Sequence, residues 1–66
     1  MTTSKTFQDA AGDNWVVTEQ SGKVTKEMIE SAIDYGAARF VKQNTWTESN
    51  ESGETGSVTV HRASLL

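Results

Sequence analysis

The sequence predicts a small α+β domain of two layers, an antiparallel sheet of three to four strands packed on one helix in the order β-β-α-β-β. Three observations carry this expectation. Met28, Ile29, Ala32, Ile33 and Gly36 recur at helical spacing, in an apolar arc of roughly 100–140° that one sheet face can cover. Two segments before that helix and two after it have strand composition or strict alternation. The whole chain is 66 residues, enough for one domain and too short for a large core.

The elements follow in chain order. Residues 1–4 are small and polar and are expected to fray. Residues 5–9 form a short strand candidate with Phe7 as its anchor, and Ala10, Ala11, Gly12 and Asp13 make a turn. Residues 14–20 are the strongest strand candidate, with Trp15 and Val17 on one face and Val16 and Thr18 on the other. Ser21, Gly22 and Lys23 break it.

The helix is expected over residues 25–38. Thr25 stands where an N-cap belongs, and Glu27 in the first turn suits the helix dipole. Gly36 lies on the apolar stripe, where a glycine costs about 1 kcal/mol against alanine; it implies close backbone approach or a helix end. Continued further, the helix would bring Arg39 into the stripe and Val41 among the acids. Residues 39–43 are therefore either a last turn or the start of a strand.

Residues 45–49 read as a strand around Trp46. Residues 50–56 hold two glycines, two acids and no apolar side chain, and are expected to be a long, mobile hairpin loop. Residues 57–63 alternate Val58 and Val60 against Thr59 and His61, the pattern of a strand buried on one face. Residues 64–66 are expected to fray, with Leu65 and Leu66 either under the helix or extending an interface. The predicted core places Trp15 or Val16, with Phe7, Val58 and Val60, against Met28, Ile29 and Ile33.

Composition narrows the function classes. Nine acids against six bases give a net charge of −3, which argues against nucleic acid as the partner because such proteins present a basic patch. There is no cysteine, hence no disulfide and no thiolate metal site. No apolar run is long enough to span a membrane. The start of the chain lacks an apolar signal region, so a cytoplasmic protein is expected. A core this thin predicts a homo-oligomer, most simply a two-fold dimer.

The residues that carry chemistry elsewhere are sparse. His61 is the only histidine, which excludes a two-histidine zinc motif. Gly53 and Gly56 precede Ser57, but the segment lacks the lysine and the helix of a phosphate loop. Asp9, Asp13 and Asn14 do not have the spacing of a calcium loop. Glu27, Glu30 and Asp34 form an acidic helix face expected to be wet, where acid–base work has no support. Asn50, Glu51 and Ser52 match a glycosylation pattern that has meaning only on a secretory route. No room is expected in one subunit for a ligand pocket of about 300 Å³ or more. No enzyme, cofactor or metal is predicted; a site shared between subunits would rest on His61 and Arg62.

The predicted function is a small non-catalytic module that binds another protein, as an inhibitor or accessory factor. Chains of this size and plainness are often encoded by phages or mobile elements. Trp15, Trp46, Tyr35, Arg39, Phe40, His61 and Arg62 are the predicted contact residues, because Trp, Tyr and Arg dominate binding hot spots. The two tryptophans have a rival reading as core anchors. The alternative function is nucleic-acid binding on the open sheet face, with Lys5, Lys23, Arg39, Lys42 and Arg62 on phosphates and a tryptophan stacking on a base.

Overall fold

The computed structural model describes residues 6–65. Residues 1–4, expected to fray, lie outside the described residues, as does Leu66. The order is β1 (Thr6–Gln8), β2 (Asn14–Gly22), α1 (Lys26–Ala38), β3 (Gln43–Ser49), β4 (Thr55–Arg62) and a closing 3-10 turn at Ala63–Leu65. This is the predicted β-β-α-β-β domain, with four strands.

All neighbouring strands are antiparallel, in the spatial order β1-β2-β4-β3. Because β4 runs antiparallel to both β2 and β3, those two are parallel to each other. The helix thus closes a split β-α-β unit, with β4 inserted between its strands. The register places Phe7, Trp15, Val17, Trp46, Val58 and Val60 on the helix side of the sheet. Val16 pairs with His61 on the other face, which settles the choice between Trp15 and Val16. The buried core is Trp15, Met28, Ala32, Ile33, Val58 and Val60, with Phe7 and Ile29 packed partly buried against it.

The alternation expected in β2 holds up to Val17 and then reverses. Thr18 is the extra residue of a bulge between Val17 and Glu19, so Gln20 takes the helix side and Glu19 turns outward. The strand also runs past its expected break, because Gly22 pairs with Gly56. Chain segments touch closely there: a Cβ on Gly22 would meet the Thr55 carbonyl, and one on Gly56 the Lys23 carbonyl.

The Thr25 hydroxyl accepts the Met28 N–H at 3.2 Å, as an N-cap should. Gly36 is buried inside the helix, where a Cβ would lie 3.0 Å from the Trp15 ring and 3.1 Å from the Asn44 Cβ. Close approach, rather than termination, accounts for this glycine. Arg39 caps the helix and residues 39–40 close it as a turn, while residues 41–42 belong to neither element and β3 starts at Gln43. Asn44 secures this junction by donating from its amide to the Ala32 carbonyl at 2.9 Å.

The hairpin loop is shorter than expected. The strands run to Ser49 and from Thr55, leaving residues 50–54. Asn50 organises them: its side-chain oxygen accepts the N–H of Ser52 and of Glu54, while its amide donates to the Glu54 carboxylate.

Candidate functional site

The seven predicted contact residues fall into three places. Trp15 and Arg62 join a buried cluster at one end of the sheet. Tyr35 and Arg39, at the C-terminal end of α1, meet Trp46 in the middle of β3, and Phe40 follows in the connection between the two elements. His61 lies half-buried on the opposite face of the sheet, its Nδ1 2.8 Å from the Arg62 carbonyl.

The buried cluster is a product of the β1–β2 turn. The Trp15 indole N–H donates to one Asp9 carboxylate oxygen at 3.0 Å, and the other oxygen accepts the N–H of Ala11 and of Asp13. Above all, the indole N–H holds the Asp9 carboxyl below the ordinary value; burial pulls the other way, and the two backbone N–H groups and Arg62 add to the lowering. Arg62 places its guanidinium 4.7 Å from the Trp15 ring centre, 2.7 Å from Asp13 and 3.9 Å from Asp9, and donates to the Val41 carbonyl at 2.8 Å. Trp15 is 0% exposed. Its ring offers no surface to a partner, and the Arg62 guanidinium is committed within the fold. For these two residues the structure corrects the sequence reading, because a tryptophan on a central strand beneath a glycine-bearing helix becomes enclosed.

The second group is open. The Tyr35 and Trp46 rings meet edge to face with centroids 5.4 Å apart, a favourable aromatic geometry. Arg39 lies over the Tyr35 ring at 4.3 Å and donates to its hydroxyl at 2.9 Å. Tyr35 and Arg39 are one helical turn apart, so they share the flank of α1 that overlooks Trp46. Trp46 is partly buried, and its indole donates to Glu48 at 2.6 Å.

Phe40 follows directly. The helix ends in a Schellman motif: the Val41 N–H returns to the Gly36 carbonyl and the Phe40 N–H to the Ala37 carbonyl, both at 3.1 Å. The left-handed position of that motif is normally glycine. Here it is Phe40, with φ 59°, at a conformational cost of about 1–2 kcal/mol. Phe40 is 88% exposed, and Tyr35 at 46% and Val41 at 37% are exposed as well. Sequence reasoning left Val41 out of this surface; its place beyond the apolar stripe was the available signal.

The outer sheet face is a field of hydroxyls that satisfy one another. Thr45 and Thr59 are 2.9 Å apart, and Thr47 donates to Ser57 at 3.2 Å. Of the cations counted toward phosphate contacts, Lys5 lies outside the described residues and Arg62 is held by two aspartates.

One expectation of size is corrected. An open groove of about 440 Å³ runs between β1 and α1, lined by Thr6, Phe7, Gln8, Glu30, Ile33 and Asp34. The single helix lies over β3 and β4 and leaves the β1 side of the sheet less covered. The lining supplies the carboxylates of Glu30 and Asp34 and the hydroxyl of Thr6. Among the described residues, no group of three or more His, Cys, Asp or Glu is placed to hold a metal ion. No helix among them is long and apolar enough to cross a membrane.

Fold and surface together define a small α+β protein built on a split β-α-β unit, with an aromatic surface where its helix ends. No known family, curated protein or solved structure matches the chain.

Proposed function

We propose that this chain is a non-catalytic protein-binding module whose contact surface is centred on Phe40, with Tyr35, Arg39, Val41 and Trp46 beside it. The observation that carries the reading is Phe40 itself. It occupies a backbone position where glycine is less strained, and its ring is left in water. Folding gains from neither feature. A partner that buries the ring would recover the hydrophobic free energy the fold forgoes. Aromatic and arginine side chains around such an anchor are the usual composition of a hot spot.

Phe40→Gly separates stability from binding. The variant should raise unfolding free energy by about 1 kcal/mol in urea titration, by relieving the left-handed strain. As bait in cells of the native source, it should lose a protein that the wild-type chain retains. Identical proteins captured by both baits would overturn the reading.

A further inference from the structure

The sheet has two edges, and they are managed differently. At one edge, the described part of β1 is three residues, Thr6–Gln8, and passes straight into the turn that carries Asp9. At the other, β3 pairs with β4 over all seven residues without a register shift. No described strand pairs with its far side. Natural proteins blunt such an edge with proline, lysine, a bulge or brevity. Gln43–Ser49 has none of these, and Glu48 is its one charge.

The phase of the ladder shows which backbone groups are open. The Arg62 N–H donates to the Lys42 carbonyl at 2.8 Å and the Asn50 N–H to the Glu54 carbonyl at 2.9 Å. Antiparallel ladders alternate bonded and non-bonded pairs, so the even-numbered residues of β3 direct their backbone at β4. The N–H and C=O groups of Gln43, Thr45, Thr47 and Ser49 therefore face outward.

We infer that a second copy of this chain occupies that edge, β3 against β3 about a two-fold axis at Trp46, joining two sheets into one of eight strands. Charge and aromatic placement select this occupant and register. Lys42 stands before the strand and Glu48 near its end. A parallel in-register pairing would set Glu48 against Glu48. The antiparallel two-fold sets each Glu48 opposite Asn44 of the second copy, toward the helix end that carries Arg39, and each Lys42 opposite Asn50, next to Glu51. Thr45 falls opposite Thr47, with their outward backbone groups exchanging bonds. Trp46 falls opposite Trp46 at a non-bonded pair, the closer kind, where aromatic pairs stabilise a sheet. The Tyr35 and Arg39 flank overlooks this seam from both copies. Trp46, Tyr35 and Arg39 border both this seam and the proposed partner surface, but Phe40 precedes β3 and takes no part in the ladder, so Phe40→Gly tests the partner surface alone and the two readings can fail separately.

The test begins with mass in solution. Sedimentation equilibrium over a concentration series should show a species of twice 7.2 kDa. Thr47→Pro removes an outward N–H and leaves the β4 ladder intact, a change tolerated on an edge strand; it should return the chain to monomer with its circular dichroism unchanged. Register is read without relying on that variant. The chain has no cysteine, and a non-bonded pair with Cα atoms about 4.5 Å apart lies within disulfide reach. Under mild oxidation Trp46→Cys should form a covalent dimer. Glu48→Cys should not, because the two substituted sites lie about 13 Å apart in this register. A monomer at every concentration overturns the inference. So does a dimer that cross-links through Glu48→Cys and not Trp46→Cys, or one that Thr47→Pro leaves intact. Protection of the Thr45 and Thr47 amides only when another protein is added would assign the edge to that protein and also overturn it.

Discussion

Trp15 and Trp46 have the same local chemistry and opposite fates. Each indole donates to a carboxylate, Asp9 in one case and Glu48 in the other. Each cluster contains an arginine over an aromatic ring, Arg62 over Trp15 and Arg39 over Tyr35. Yet Trp15 is fully enclosed, while the Trp46 cluster remains open to water. The difference is position in the sheet. Trp15 lies on the inner strand β2, with β1 on one side, β4 on the other and Gly36 above it. Trp46 lies on edge strand β3, with a neighbour on one side only. A cluster closed on every side stabilises the fold; the same residue types at an edge are available to something else.

That contrast can be broken or sharpened experimentally. Trp15→Ala should have the largest effect, destabilising the protein by about 3–5 kcal/mol, enough to leave so small a domain largely unfolded in urea titration. Trp46→Ala, at the partly buried site, should cost about 1–2 kcal/mol in dilute solution. Equal losses at the two sites would erase the distinction between closed and open clusters.

Gly36→Ala tests how the closed cluster is roofed. The added methyl gains about 1 kcal/mol in helix propensity but intrudes on Trp15 and the Asn44 Cβ, an overpacking that costs about 1–3 kcal/mol. A net loss near 1 kcal/mol is expected, and a net gain would show that the Trp15 ring is free to yield. The smallest effect is one of pH. The folded Asp9 carboxyl sits below its unfolded value near 3.9. Its contribution is therefore present above that pH and is lost as pH falls below about 4 through the folded value. Asp9→Asn should flatten the acid limb of stability against pH, read by urea titration at a series of pH values.

Much of the fold was legible because its signals are local. The stripe of Met28, Ala32 and Ile33, the cap at Thr25 and the alternation of Val58 and Val60 each express a period that the backbone imposes. The bulge at Thr18 was not legible, since an extra residue acquires meaning only against the facing strand. The end of the helix at Ala38 was legible, since the apolar stripe gives out there, but its left-handed closure at Phe40 was not, because the usual glycine signal is absent. Of the surface residues, Tyr35, Arg39 and Phe40 were identifiable as neighbours from spacing along the helix. Trp15 and Arg62 were misplaced among them because their partners, Asp9 and Asp13, are held by a turn that brings distant parts of the chain together.

The sequence by itself determined the number and order of elements and which helix face is buried, since periodicity and capping depend on residues within a few positions of one another. Only the tertiary structure decided which tryptophan is enclosed, that Gly36 serves close packing, and that β3 stands at an edge. Those outcomes depend on which strand lies beside which, and insertion of β4 between β2 and β3 is a long-range choice that no local pattern encodes.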